Sequence, residues 1–102
     1  MPSLPIDRYV LETLMPDLVG HDRRPSAYLV YLMLWLRASG APRVAVTASL
    51  RDLAEWTGLS KRAVQLALAR LQRRKLVAVV RATPTAVPSY TVLRPWVRRR
   101  SG

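Results

Sequence analysis

The sequence has no cysteine in its 102 residues, which removes disulfides, thiolate metal sites and cysteine nucleophiles together. Histidine is almost as scarce: His21 stands alone beside Asp22 in a polar loop, with no second imidazole to share a metal. No glycine-rich phosphate loop and no nucleophile elbow occur. There is no internal repeat, and no low-complexity tract beyond a short arginine tail. The longest apolar run, Ala27 to Leu36, is ten residues, against the roughly 20 that a membrane-spanning helix needs. The first twenty residues lack the basic start and apolar stretch of a secretion signal. These absences predict a protein of the cytoplasm, not an enzyme, without metal or other cofactor and without a membrane partner.

The most informative absence concerns one sign of charge. Up to Glu55 the chain carries six basic side chains (Arg8, Arg23, Arg24, Arg37, Arg43, Arg51) and six acidic ones (Asp7, Glu12, Asp17, Asp22, Asp52, Glu55), which cancel. After Glu55 there are eleven basic residues and no acidic one, which accounts for the net charge of +11. The ratio of 15 Arg to 2 Lys suggests an arginine-rich coding bias, but such a bias does not remove acids from one half of a chain. Segregated positive charge creates a field that attracts nucleic acid or another polyanion.

Half of the residues are apolar, enough for one folded domain with a modest core. Ile6, Val10, Leu11, Leu14, Met15 and Leu18 recur at spacings of three and four, predicting an amphipathic helix over 6–19 that Pro16 stops or kinks. The polar stretch "GHDRRP" separates it from a second helix over 26–39, closed by Gly40 and Pro42. That helix is apolar on every side. Leu29, Leu32, Met33 and Leu36 form one stripe, and Tyr28, Tyr31 and Trp35 form another beside it. One stripe covers the core; the other needs a cover of its own. Two covers are open for the aromatic stripe. One is the N-terminal helix of the same chain, and the other is a second copy, which makes Tyr28, Tyr31, Trp35, Leu11 and Leu14 candidates for a dimer interface.

"RVAVT" alternates like a short strand over 43–47. Ser49, with Asp52 three residues on, is an acid variant of the capping box, and it opens a helix over 49–57 whose Leu50, Leu53, Ala54 and Trp56 face inward. The acids Asp52 and Glu55 are accounted for by this cap, the helix dipole and pairing with Arg51 or Lys61. Gly58 supplies the positive φ of a sharp turn. Ser60 caps the next helix, over 60–74, with Val64, Ala67, Leu68 and Leu71 as its buried stripe. Helix, glycine turn and helix make a helix-turn-helix.

The run "LAEWTGLSKRAVQLALARLQRRKLV", with small Ala54 four residues before Gly58 and branched Val64 six after it, closely resembles the DNA-binding domains of bacterial winged helix-turn-helix regulators. It resembles the GntR type best, with MarR-like domains beside it, over about residues 47–93. The position before "LV", commonly glycine in that family, is Lys75 here, and no counterpart of the family's small-molecule effector domain is evident. The resemblance implies a two-stranded wing, and "VAVVRA" and "SYTVL" around the proline-bearing "TPTAVP" agree, placing the wing over 77–93 and a basic tail over 94–102. The expected fold is therefore mainly α with a small antiparallel sheet: a winged helix-turn-helix with an additional N-terminal helix.

In this motif the second helix enters the major groove N-terminus first. At about 100° per residue, Arg62, Leu66, Ala69 and Arg73 lie opposite the buried stripe, with Gln65 adjacent. Lys61, Arg62 and Gln65 are the candidates for base edges, since Arg bridges guanine and Gln bridges adenine. Ala69 permits close approach, and Leu66 suits a thymine methyl or a protein contact. Ser60, Arg70, Arg73 and Arg74 suit phosphates, as do Arg81, Thr83 and Thr85 of the wing and Arg98, Arg99 and Arg100 of the tail. The expected function is sequence-specific binding of double-stranded DNA by a small homodimeric transcriptional regulator at the nucleoid. The alternative is a winged-helix protein-interaction module, such as a replication, partition or phage accessory factor, and RNA is a third and weaker partner.

Overall fold

The computed structural model describes residues 3–39 and 44–97. Gly40, Pro42, the start of the expected strand at residue 43 and the tail arginines Arg98, Arg99 and Arg100 lie outside the described residues. An N-terminal helical segment winds through Val10–Leu14 and Pro16–His21. Then come α1 (Pro25–Arg37), β1 (Ala45–Thr47), α2 (Leu50–Thr57), α3 (Lys61–Arg73), β2 (Val77–Val80) and β3 (Ser89–Val92). The protein is mainly helical with one three-stranded antiparallel sheet of order β1-β3-β2, an arrangement compatible with a winged helix.

Pro16 does not stop the N-terminal segment. The winding widens on either side of it into π geometry, with Met15 N–H bonded to the carbonyl of Val10 and Asp22 N–H to that of Asp17. Five-residue spacing moves the backbone away from the clash a proline ring makes with the carbonyl four residues back. The stripe read from the sequence is divided by this winding. Val10, Leu14 and Leu18 are buried, whereas Ile6, Leu11 and Met15 remain exposed.

α1 runs through the centre of the molecule and packs against α2, α3, β3 and the N-terminal segment. Of its two apolar stripes, the aromatic one is the core stripe, and its own chain covers it. Tyr28 Oη donates to the carbonyl of Val10 at 2.9 Å, Trp35 Nε1 to that of Pro5 at 2.8 Å and Tyr31 Oη to that of Leu93 at 2.9 Å. Tyr28, Tyr31, Trp35 and Leu14 are thus buried within one chain, which corrects the expectation of a dimer interface there; each large ring buries its area and satisfies its polar atom internally. Burial pushes the Tyr28 and Tyr31 hydroxyls up from the ordinary phenol range, and at Tyr31 the Arg94 charge opposes that shift while Asp7 adds to it. Leu29 and Leu36, on the other stripe, stay 45% and 48% exposed.

The helix-turn-helix closes as its sequence requires. Ser49 Oγ accepts from Asp52 N–H at 3.0 Å while the Asp52 carboxylate accepts from Ser49 N–H at 2.9 Å, a reciprocal cap. Those bonds favour the ionised carboxylate and lower the Asp52 pKa. Gly58 takes φ +78° at the end of α2, and Ser60 Oγ accepts from Ala63 N–H at the start of α3. Val64, Ala67, Leu68 and Leu71 are all buried, and α3 packs this face on α1 and α2.

The end of α3 needs a left-handed residue, and Lys75 supplies it at φ +58°. Leu76 N–H reaches the carbonyl of Leu71 at 2.8 Å and Lys75 N–H that of Gln72 at 3.0 Å, the paired bonds of a Schellman motif. The chain then enters the sheet, where Tyr90 faces Val46 on one side and Val79 on the other. Val46, Val77, Tyr90 and Val92 close the core from the sheet side.

Gly58 and Lys75 share the left-handed backbone, so substitution should move stability in opposite directions. Gly58→Ala should cost about 1 kcal/mol. Lys75→Gly should add about 0.5 kcal/mol, the relief of strain less the extra freedom of the unfolded chain. Urea denaturation of both variants checks this; Lys75→Gly no more stable than Lys75→Ala would refute the strain at that turn.

Candidate nucleic-acid interface

The face of α3 away from the core is open. Lys61, Arg62, Gln65, Leu66, Ala69 and Arg73 are exposed and Arg70 is half-buried. Their order along the helix puts Lys61, Arg62 and Gln65 toward the capped N-terminus and Arg70 and Arg73 in the last turn. Lys61, Arg62, Arg70 and Arg73 form no ion pair with another described residue. Ser60 is exposed, and since its oxygen accepts the cap bond, its hydroxyl hydrogen is left for donation.

Arg74 is different, and its assignment as a phosphate contact is corrected. Its guanidinium donates to Asp22 Oδ2 at 2.8 Å and to Asp17 Oδ2, so both acids bind it from the N-terminal segment. The Arg74 hydrogen bond is the largest cause holding the Asp17 pKa below the ordinary carboxylate value, followed by that of His21, whose Nδ1 lies 3.1 Å from Asp17 Oδ1. The same pairing raises Arg74. Asp17 and Asp22 precede Arg74 by 57 and 52 residues, a separation that no helical spacing in the sequence could announce.

The wing stands beside the start of α3. A groove of about 370 Å³ there is lined by Lys61, Arg81 and Thr85 together with Ser49, Arg51 and Pro88. Arg81 Nη1 donates to the carbonyl of Ala86 at 3.2 Å, which braces the wing turn while leaving the side chain exposed. Thr83 is exposed at the wing tip and does not line this groove.

Two surface features bring together residues that the sequence did not connect. At the far end of α3, Arg24 meets Leu66, Ala69, Arg70 and Arg73 around a cleft of about 90 Å³; its only sequence signal is the basic pair Arg23-Arg24 in a polar loop. Leu29, Leu32, Met33 and Leu36 of α1 line an apolar groove of about 240 Å³ with Trp56 and Thr57 of α2. Arg37 lies over the Trp56 ring at 3.8 Å from its centroid, a cation–π contact. Leu11, the remaining dimer-interface candidate, is 50% exposed.

No known protein family, curated protein or solved structure matches the chain. Among the described residues, no helix is long and apolar enough to cross a membrane.

The Asp17–Arg74 pair makes a pH-dependent prediction. A carboxylate whose folded pKa is lowered adds stability above its unfolded value of about 3.9, and loses it as pH falls through the folded value. Asp17→Asn should therefore cost about 1 kcal/mol at pH 7, the scale of a partly screened ion pair. The gap to wild type should close on acidification below about pH 4. Urea midpoints from pH 7 to pH 2 check this, and a gap constant over that range would assign the loss to packing.

Proposed function

We propose that this protein binds double-stranded DNA sequence-specifically, as a small transcriptional regulator of the cytoplasm that acts by occupying an operator. The observation carrying this reading is the outward flank of α3, exposed at Lys61, Arg62, Gln65, Leu66, Ala69 and Arg73 and without acidic partners among the described residues. A capped helix with Lys61, Arg62 and Gln65 near its N-terminus has the reach and the donors to read base edges in the major groove. Arg70 and Arg73 supply charge for phosphates, which set register without reading sequence. The wing groove with Lys61, Arg81 and Thr85 lies where a second backbone contact would support the helix. Binding as a homodimer would set two α3 helices on half-sites about 10 bp apart, or a multiple of it.

A second reading, a protein-interaction or replication, partition or phage accessory module, is favoured by the apolar groove of α1 and α2, which no described part of the chain covers. It makes no demand on the charge of α3.

Selection from random duplex DNA, followed by mass measurement of the complex, separates the two. The DNA reading expects a two-fold consensus with two protein chains bound. Gel shifts at several salt concentrations should show log affinity falling steeply with log salt. Arg62→Ala should lose about 1 to 3 kcal/mol on the consensus and relax one base position. A flat salt dependence with no enriched sequence would leave the second reading in place, and preference for structured RNA over duplex would redirect the first.

A further inference from the structure

We propose that Arg24, from the loop ahead of α1, completes with Arg70 and Arg73 a phosphate-binding cleft that grips the DNA backbone at the edge of the major groove. This inference rests on the DNA-binding reading and adds to it a contact that lies outside the helix-turn-helix.

The cleft is built by the backbone. Arg24 N–H is bonded to the carbonyl of Leu18 at 2.7 Å, and the Arg24 carbonyl accepts from Ala27 N–H at 3.0 Å. Arg23 before it is held at φ +52°, a left-handed turn that a non-glycine residue takes at a cost. The loop is therefore fixed at both ends, and it sets the Arg24 side chain beside the last two turns of α3, with Leu66 and Ala69 as an apolar floor.

Charge points to the ligand. Three arginines line one concavity, and the nearby acids are engaged elsewhere, Asp22 by Arg74 and Asp17 by Arg74 and His21. Arg24, Arg70 and Arg73 have no ion-pair partner among the described residues. The C-terminal end of a helix is itself poor ground for an anion, so these side chains supply the attraction. At about 90 Å³ the cleft is smaller than the roughly 300 Å³ at which small-molecule pockets begin. It suits one oxyanion group of a longer polymer.

Geometry sets which part of the duplex it meets. A helix of 13 residues is about 20 Å long, whereas the major groove is about 12 Å wide. With the N-terminus of α3 in the groove, its last turn stands over the flanking sugar-phosphate backbone, and Arg24 stands there with it.

The test is the salt dependence of duplex binding for full-length wild type and for Arg24→Ala, Arg24→Lys and Arg8→Ala. Arg8 pairs with Glu12 away from α3 and controls for net charge. Arg24→Ala should lower the slope of log affinity against log salt by about 0.9, one phosphate contact. It should weaken consensus and scrambled duplexes by the same factor. Arg24→Lys should keep the slope, and Arg8→Ala should leave it unchanged. Wild-type slope in Arg24→Ala, with duplex binding and Arg62 dependence intact, would overturn the cleft and leave the DNA reading standing. Equal slope losses in Arg24→Ala and Arg8→Ala would reduce the effect to overall charge and overturn it as well. Absence of duplex binding by wild type would overturn both.

Discussion

Three backbone carbonyls, on Pro5, Val10 and Leu93, hold the polar atoms of Trp35, Tyr28 and Tyr31, and the arrangement of the rest follows from that. Each ring offers more area than a leucine, so the aromatic stripe of α1 gains most from burial. Each also carries one donor, which costs about 1 to 3 kcal/mol if buried unpaired. The three acceptors come from both sides of the sequence, so the rings are satisfied only when the N-terminal segment and the strand leaving the sheet fold over α1 together. Trp96 stacked on Tyr9 at 4.5 Å, and Arg94 over Trp35 at 4.1 Å, extend the same cover.

The six carboxylates show how the charge is spent. Asp7 takes Trp96 and Arg94, Glu12 takes Arg8, Asp17 and Asp22 take Arg74, Asp52 caps α2 and Glu55 takes Arg51. None pairs with Lys61, Arg62, Arg70 or Arg73. Glu12 and Glu55 are held by arginines four residues away, while Asp7, Asp17 and Asp22 reach Arg94 and Arg74 of the basic half, so the field over the outward face of α3 comes from the basic side chains that these acids leave unpaired.

What could be read beforehand was local. Ser49, Asp52, Gly58 and Ser60 act within four residues of themselves, and the 3.6-residue repeat of Val64, Ala67, Leu68 and Leu71 has one solution, so the helix-turn-helix and its outward face were legible. The strands were legible from alternation and flanking prolines. α1 was ambiguous because both stripes are apolar, and periodicity does not rank them; the polar atoms of the rings did. Lys75 gave no sign of its left-handed turn, since lysine has no preference for it, and only the family resemblance marked the position. Arg74 and Arg24 depended on contacts across the fold, which a linear pattern does not encode.

The wide winding around Pro16 gives the N-terminal segment a different rhythm from the other helices. An i to i+5 ladder holds more residues per turn than an α-helix, and the buried positions of this segment recur every four residues. Val10, Leu14 and Leu18 make an inner rail, and Leu11, Met15 and Val19 an outer one. Loss of a single residue between Val10 and Leu14 would bring Met15 and Val19 to the inner positions, carry Leu14 and Leu18 off them, and shift Asp17 out of register with Arg74. The spacing of this segment is therefore as strict as its composition is loose.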